Sequence, residues 1–341
     1  MRIDIATLFT QMCGSVLNES IVGRGIRNGF IEVHTHDIRK YTENKHRRVD
    51  DKPYGGGTGM LMQAQPVYDC ISAIKSQGEG RPRIIYMSPQ GEVLTQQKVQ
   101  ELAQEPWLIL LCGHYEGIDQ RVLDELEVEE LSVGNYVLTG GELPALIVAD
   151  AVARLQPGVL PNEDAYSIES HYNGLLEFPQ YTRPEEWHGR RVPEVLLTGD
   201  HRTVTEWQNR EALRVTAKKR PDMYGKFIAE QHERLWSAFL EDKDIPPETR
   251  CSGVVRFGKT ADEADRLAKL VMRGKKRADL SVQSGELPRR GEYLIVTDGT
   301  GLGKCVVQVF NVKTVPFSGV TDEMCGFTAE CSSPDEWRAV Q

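Results

Sequence analysis

The sequence predicts an α/β protein, with a parallel sheet in the first 160 residues and a smaller α+β or β-barrel module at the end. Short apolar runs alternate with helix-like segments through residues 1–160, which is the pattern of a parallel α/β sheet. Three of these runs end in loops rich in glycine and polar residues. A break at residues 244–249, which contains two prolines, separates the final module from the rest.

The strands and loops of the first part follow one another in a regular order. Residues 1–5 read as an opening strand, and the apolar runs 84–87 and 107–111 read as two more. The second run leads into residues 88–91, the third leads into residues 112–117, and a further strand leads into the loop 132–142. Open α/β sheets bind ligands at the carboxyl ends of their strands. We therefore expect the three loops to form one composite pocket.

Capping residues predict the helices of the first part. Thr95 is expected to cap a helix that reaches Gln104. Pro144 suits the first turn of a helix that ends near Gln156, with Gly158 just beyond it. The polar residues 161–174 lack periodicity, and we predict that they form a mobile connector.

The second part of the chain reads first as helical and then as mixed. Helices are expected over about residues 203–219 and 224–240. After the proline break, Thr260 and Glu263 form a capping box that opens another helix. The runs 293–296 and 305–310 then read as strands.

Composition narrows the class of protein. The chain has 341 residues and a net charge of −9. Residues 251–341 contain 13 basic and 12 acidic groups and so carry a charge of +1. This balance argues against broad nonspecific binding to nucleic acid, although a local basic face is compatible with it. The seven scattered cysteines and the lack of an apolar run of about 20 residues favour a reduced cytoplasmic protein with no membrane partner.

Several clusters have two readings from the residues alone. The glycines of residues 53–60 are compatible with an anion-binding nest or with a plain surface loop. The basic run 273–277 is compatible with an RNA or phosphate contact or with a charged helix end. Residues 298–304 lack the spacing of a phosphate-binding loop and read better as a hairpin turn. His34 and His36 alternate along a predicted strand and read as structural.

Four motifs carry a resemblance when they are taken in order. They are Val-Asp-Asp-Lys-Pro-Tyr-Gly-Gly-Gly (49–57), Cys-Gly-His-Tyr-Glu-Gly-Ile-Asp (112–119), Gly-Asn-Tyr-Val-Leu-Thr-Gly-Gly-Glu (134–142) and Pro-Gln-Tyr-Thr-Arg-Pro (179–184). In this order they resemble the bacterial tRNA (guanine-N1)-methyltransferase family over about residues 1–246. The resemblance implies a trefoil-knotted SPOUT-type fold, a homodimer and a bent S-adenosylmethionine in the knot, features that periodicity alone does not indicate.

The resemblance also implies which residues form the sites, in domains at 1–160 (S-adenosylmethionine), 161–174 (connector) and 175–246 (helical, tRNA-binding). The substrate would be the guanine immediately 3′ of the anticodon in tRNA, and no DNA partner is expected. The residues implied for the tRNA are His46, Asp50, Lys52, Tyr54, Gly55 and Arg183. Those implied for the cofactor are Tyr86, Ser88, Pro89, Gly91, Gly113, Tyr115, Glu116, Gly117, Ser132, Val133, Gly134, Asn135, Tyr136, Val137, Leu138, Gly140, Gly141 and Pro144.

The implied chemistry centres on two residues. Neutral guanine carries a proton on N1, so a base must remove that proton while a cation stabilises the charge on O6. Arg154 matches the cation of the family. Glu169 is the base that the resemblance implies, and it stands where the family motif has aspartate. Beside the cofactor loop, Asn135 also stands where the family usually has aspartate. The family also uses Mg²⁺, for which the resemblance suggests Glu116 and Glu177.

Residues 254–341 resemble the ASCH domain, a small PUA-like barrel associated with RNA. The resemblance rests on short motifs such as residues 264–268, 274–276 and 315–317. Asp279 stands where that family has a threonine after its second lysine. The sequence therefore predicts a tRNA methyltransferase with an added RNA-contacting module. The alternatives are a catalytically impaired tRNA-binding protein and a tail that acts on RNA or modified nucleosides.

Overall fold

The computed structural model describes residues 1–57, 59–162, 164–282, 287–331 and 333–340. The chain forms two compact units, Met1–Asn173 and Gly174–Gln341. No helix in the described ranges is both long and apolar enough to cross a membrane.

The first unit is built on one parallel sheet of five strands, as the sequence predicts. Its strand order is β2-β1-β6-β5-β7. The elements, in chain order, are β1 (Arg2–Thr7), α1 (Thr10–Leu17), α2 (Ser20–Arg27), β2 (Glu32–Asp37), β3 (Asp50–Asp51), β4 (Leu61–Met62), α3 (Ala64–Lys75), β5 (Arg83–Val93), α4 (Gln96–Leu102), β6 (Trp107–Cys112), α5 (Gln120–Glu125), β7 (Glu129–Ser132), α6 (Glu142–Ala153) and α7 (Asp164–Ser167).

The sheet is buried on both faces because helices cover each side. All six residues of β6 are buried, which explains its unbroken apolar sequence. Successive side chains of a strand point to opposite faces. Leu108 and Leu110 accordingly lie in one core with α1, α2 and α6, whereas Ile109 and Leu111 lie in the other with α3.

Local capping predictions for this unit are confirmed. The Thr95 side chain accepts a hydrogen bond from the backbone N–H of Lys98 at the start of α4. Pro144 lies in the first turn of α6, and Gly158 beyond the helix has a φ of +86°. Both helices end earlier than predicted, α4 at Leu102 rather than Gln104 and α6 at Ala153 rather than near Gln156. The predicted connector 161–174 contains the short helix α7. Glu163, in the same stretch, lies outside the described residues.

The two histidines of β2 have carboxylate partners. His36 Nε2 lies 2.6 Å from Asp4 Oδ1, and Asp4 also accepts from Trp107 Nε1 at 2.7 Å. His34 Nε2 lies 2.6 Å from Glu32 Oε1. The bonds to Asp4 tie β2 to β1 and β1 to β6, in agreement with the structural reading of His36, whereas the His34–Glu32 contact lies within β2.

The second unit begins with a helical part. Its elements are β8 (Glu186–Trp187), β9 (Arg190–Arg191), α8 (His201–Lys219), α9 (Pro221–Asp242), β10 (Gly253–Arg256), α10 (Ala261–Met272), β11 (Tyr293–Thr297), β12 (Gly303–Gln308), α11 (Asp322–Thr328) and α12 (Pro334–Val340). Asp200 caps α8 by accepting from Arg202 N and Thr203 N, and Pro221 opens α9. Both helices begin two or three residues before their predicted starts.

The part of the second unit from residue 253 onward, called the tail below, contains a small mixed sheet. Strand β11 pairs in parallel with β10 and antiparallel with β12. Thr260 and Glu263 form the predicted capping box of α10. In the described residues the tail sheet has three strands.

Helix α9 carries the tail on one of its faces. The rings of Trp236 and Phe239 each lie within 5.7 Å of the Tyr293 ring, measured between centroids. His232 Nε2 lies 2.9 Å from the carbonyl oxygen of Gly301, and the Tyr224 hydroxyl donates to the carbonyl oxygen of Thr300. These apolar and polar contacts, called the α9 seat below, join the tail to the helical part.

Candidate active site

The loops after β6 and β7 meet directly. Gly141 N donates to Gly113 O at 2.8 Å, and His114 forms an isolated bridge with Gly140. A Cβ on Gly141 would lie 2.7 Å from Cys112 Cα and 2.9 Å from Gly113 N. Real Cβ atoms essentially never approach backbone this closely, so glycine is required for the two loops to pack.

The loop after β5 differs from the prediction, but it joins the same cluster. Residues 88–91 are not a loop beyond the strand, because β5 continues to Val93, with a shift of register against β7 between Met87 and Glu92. A Cβ on Gly91 would lie 2.3 Å from the β7 backbone at Leu131. A Cβ on Gly113 would lie 2.8 Å from the Tyr86 ring. The three segments therefore converge, as the sequence predicts.

The segment 132–141 presents exposed apolar side chains. The exposed fractions are 56% for Tyr136 and 82% for Val137. Gly134 adopts a φ of +154°, and the Tyr136 ring packs where its Cβ would be. Glycine at this position therefore lets the aromatic ring fold back over its own loop, while neighbouring apolar groups face solvent.

A polar cluster that the sequence analysis did not single out lies beneath these loops. Glu142 is buried, and its carboxylate accepts from Thr7 Oγ1 at 2.8 Å. His114 Nδ1 is buried and, among the described residues, has no hydrogen-bond partner. Both groups border Gly140, where a Cβ would lie 2.5 Å from Glu142 Oε2 and 2.8 Å from His114 Nδ1. The glycine motif around His114 was the available signal, but it did not reveal the burial of Nδ1.

This cluster suits a ligand with both apolar and polar groups. Ligand pockets combine apolar lining with a few convergent polar groups, and a buried polar atom without a partner is energetically unfavourable. Gly140 leaves open the position that His114 Nδ1 and the Glu142 carboxylate border. These features fit a ligand of mixed polarity.

The glycine-rich segment 53–60 lies against the loop after β6. Glu116 N donates to Met60 O at 2.9 Å, and a Cβ on Gly59 would lie 2.2 Å from the Glu116 side chain. Gly55 and Gly56 have positive φ values and open space around them. Tyr54 is fully exposed. The segment therefore combines an anchored end with an exposed tip, and Thr58 lies outside the described residues.

Arg154 and Glu169 form a bidentate ion pair. Arg154 Nη1 lies 2.7 Å from Glu169 Oε2, and Arg154 Nη2 lies 2.9 Å from Glu169 Oε1. Hydrogen bonding to Glu169 raises the pKa of Arg154, so the guanidinium stays charged. Each side chain is about one third exposed, which leaves the pair accessible to a ligand.

The other predicted site residues lie in several places. His46, Asp50, Lys52, Tyr54 and Gly55 lie on the segment between β2 and β4. Arg183 and Glu177 belong to the second unit, whereas Glu116 belongs to the first. No group of three His, Cys, Asp or Glu residues able to hold a metal occurs among the described residues. The assignment of Mg²⁺ to Glu116 and Glu177 remains a prediction.

In the tail, the buried ammonium group of Lys276 links residues 278–279 to residues 328–330. Its Nζ contacts Ala278 O at 3.0 Å, Asp279 Oδ1 at 3.0 Å, Thr328 O and the Glu330 carboxylate. An ammonium group has three protons to donate, so these oxygens satisfy it. The neighbouring Arg273 is the C-cap residue of α10, which matches the reading of this basic run as a helix end.

The glycine-rich turn 298–303 is a hairpin turn between β11 and β12, as predicted. Asp298 Oδ1 accepts from Thr300 N at 2.9 Å and from Leu302 N at 3.1 Å. Gly299 N donates to Asp265 Oδ1 at 2.8 Å. Carboxylates of the chain thus occupy the backbone donors that a phosphate would need.

Comparison with known families agrees with this site. The family model of tRNA (Guanine-1)-methyltransferase TrmD matches residues 1–226, which contain all the converging loops and the Arg154–Glu169 pair. The chain belongs to this tRNA (guanine-1)-methyltransferase family. The ASCH domain model matches residues 253–341, which correspond to the tail.

Three relatives show how far the similarity to the tRNA (guanine-1)-methyltransferase family extends. Proteins named tRNA (guanine-N(1)-)-methyltransferase from Ruminiclostridium cellulolyticum, Lachnospira eligens and Clostridioides difficile are 53%, 48% and 47% identical to this chain. The matches cover 66%, 69% and 66% of this chain and 97%, 100% and 98% of the relatives. These three relatives therefore have no counterpart of the tail.

Proposed function

We propose that this protein transfers a methyl group from S-adenosylmethionine to N1 of the guanine immediately 3′ of the anticodon in tRNA. The observation that carries the proposal is the Arg154–Glu169 pair, in the same unit as three converging glycine segments. Family membership supplies the reaction class. S-adenosylmethionine, when bound, supplies the methyl group.

The pair matches one edge of guanine. N1–H and O6 are neighbouring groups on that edge, one a donor and the other an acceptor. Glu169 can accept the N1 proton while Arg154 donates to O6, where negative charge develops as the proton leaves. Arg154 donates to both carboxylate oxygens of Glu169, at 2.7 and 2.9 Å. Guanine would replace each partner, because its O6 would accept from Arg154 and its N1–H would donate to Glu169.

The remaining assignments are proposed together with this reaction. We assign cofactor binding to residues 1–160, the connector to 161–174, tRNA binding to 175–246 and an ASCH module of PUA-like barrel type to 254–341. A trefoil knot accords with the tight packing of Gly113 on Gly141, and Mg²⁺ and a cytoplasmic location follow from the family. Asn135 would reduce the negative charge beside the cofactor.

A homodimer accounts for an exposed apolar face on α1 and α6. Contiguous exposed apolar patches mark interaction sites, and twofold dimers are the commonest assemblies. In the family the active site combines two subunits, so the dimer would complete this one. The side chains of this face are 40–54% exposed, and they are Phe9, Met12, Val16, Leu143 and Ile147.

The test is methylation of a tRNA that carries guanine at this position. The full chain is incubated with labelled S-adenosylmethionine, and the product is read by reverse transcription, which stops at N1-methylguanine. Glu169→Gln should lower the rate about 100- to 10,000-fold, since it removes a general base. Glu127→Gln, which breaks the exposed ion pair with Arg81, should leave the rate unchanged. Incorporation at another base would contradict the proposal.

A second candidate is a tRNA-binding protein without catalysis. It is favoured by Glu169 and Asn135, which stand where the family motifs have aspartate. Binding of tRNA and S-adenosylhomocysteine without turnover, together with turnover by Glu169→Asp, would establish it. Turnover by the wild-type chain would exclude it.

A further inference from the structure

The tail contains a long run without acidic residues in an otherwise acidic protein. Residues 299–321 contain no aspartate or glutamate, whereas the whole chain carries a net charge of −9. Of the two lysines in this run, Lys304 pairs with Asp298 at 2.9 Å, and Lys313 lies in the exposed part. The middle of this run, residues 310–314, follows β12 and is exposed throughout. A local basic surface of this kind attracts phosphate despite an overall negative charge.

An aromatic side chain stands open at the start of the exposed stretch. Phe310 is 81% exposed, among the largest exposed fractions of any large apolar side chain in the described residues. The guanidinium carbon of Arg290 lies 5.5 Å from the centroid of its ring. An aromatic face beside an arginine is the arrangement on which unpaired bases stack.

Backbone hydrogen bonds fix this arrangement. Gly291 N donates to Val309 O at 2.7 Å, and Val309 N donates to Glu292 O at 2.8 Å. The residues on either side of these bonds, Arg290 and Phe310, are therefore held next to each other. The backbone therefore places the ring and the guanidinium side by side.

The cations of this surface have no carboxylate partner in the described part of the chain. Within the ranges that the structure describes, Arg289, Arg290 and Lys313 have no carboxylate within 4.0 Å. Glu292, the nearest described carboxylate in sequence, accepts from the backbone N–H of Arg289 at 2.8 Å. An arginine beside an open aromatic ring, with two further exposed cations close to them in sequence, therefore favours a polyanion that also offers flat bases.

We infer that Phe310 and Arg290 form a stacking platform for an unpaired nucleotide of the tRNA, with Arg289 and Lys313 on the adjacent phosphates. This site shares no residue with the contacts of Lys276 or with the converging segments of the first unit. The α9 seat joins the platform to the helical part that carries Arg183. The identity of the RNA as tRNA rests on the proposed function, whereas the stacking chemistry does not.

The test measures binding of the full chain to an unmodified tRNA transcript by fluorescence anisotropy over a range of salt concentrations. Phe310→Ala should weaken binding about 5- to 100-fold, the range found when a stacked base loses its aromatic partner. Arg289→Ala combined with Lys313→Ala should lower the slope of log affinity against log salt by about 0.7 per phosphate contact. Phe327→Ala, at another exposed phenylalanine of the tail, and Arg256→Ala, at another exposed arginine, are the matched controls.

Equal tRNA affinity of wild-type protein, Phe310→Ala and Phe327→Ala would overturn the platform. So would a change of oligomeric state in Phe310→Ala with unchanged tRNA affinity, because the patch would then be a protein interface. Thermal unfolding should match wild type, since the side chain is almost fully exposed. Methylation is measured in parallel: loss of methylation with a retained Phe310 effect on affinity would reject the proposed function and keep the platform.

Discussion

Two glycine-rich segments of this protein have opposite properties. The segment 132–141 leaves Val137 in solvent and lies beside the buried, unpartnered His114 Nδ1. The tail turn 298–303 directs its backbone donors onto its own carboxylates, Asp298 and Asp265. Glycine content is therefore a poor indicator of a ligand site. The better indicator is whether polar groups and apolar surface remain without partners inside the chain.

The largest expected effect on this contrast comes from one methyl group added to the segment 132–141. Gly141→Ala should weaken S-adenosylhomocysteine binding and lower the methylation rate about 100-fold, because the new Cβ meets backbone and displaces the loops by about an ångström. Calorimetry and initial rates measure the two effects.

Gly299→Ala is the matched variant in the tail, where the Cβ would lie 2.3 Å from Ala261 O. It should destabilise the tail and leave cofactor binding near wild type. Equal loss of cofactor binding in both variants would contradict the contrast between the segments.

A smaller effect is expected on the stability of the tail. Asp298→Ala should lower the free energy of unfolding by about 1–3 kcal/mol, since three donors of the turn and Lys304 lose their acceptor. Urea unfolding, followed by the fluorescence of Trp236 beneath the tail, measures it. Asp335→Ala, at an exposed surface pair with Arg338, should change stability by less than about 0.5 kcal/mol.

The same carboxylate predicts a pH dependence of stability. Burial raises the pKa of Asp298, but hydrogen bonds from Thr300 and Lys304 outweigh it and hold the pKa below its usual range. A group with a depressed folded pKa stabilises the protein above its unfolded pKa, and this stability is lost as the pH falls through the folded value. Tail stability should therefore decline below about pH 4 in wild type and decline less in Asp298→Ala. Identical acid profiles would exclude the role of Asp298.

The smallest effect concerns His114. Replacement by phenylalanine removes an Nδ1 that has no partner among the described residues, so stability should change by less than about 1 kcal/mol. Affinity for S-adenosylhomocysteine should fall about tenfold, as for the loss of one hydrogen bond. His114→Asn, which keeps a polar atom near the Nδ1 position, should retain more affinity. Equal affinity of both variants and wild type would remove His114 from the site.

Sequence reasoning succeeded where the signal is local or follows from the topology of the sheet. The capping roles of Thr95 and Thr260 depend on residues within one turn, so they could be read directly. The convergence of the loops followed from the rule that parallel strands end at one edge. The turn at residue 298 was recognised because its spacing fails the requirements of a phosphate loop.

Features set by tertiary contacts could not be read in this way. Continuation of β5 through residues 88–91 depends on its shifted register with β7, a partner far along the chain. The Arg154–Glu169 bonds depend on the placement of a segment without periodicity. The burial of Glu142 against Thr7 joins residues 135 positions apart, and nothing in either neighbourhood indicates it.

The α9 seat has a consequence for the solubility of this chain. Trp236 and Phe239 lie half-buried against Tyr293 of the tail, on a helix that runs 16 residues past the end of the family match at residue 226. Loss of the tail would leave these rings in water on a helix face, where they would promote aggregation. The tail therefore shields apolar surface of the helical part, whatever it contributes to RNA binding.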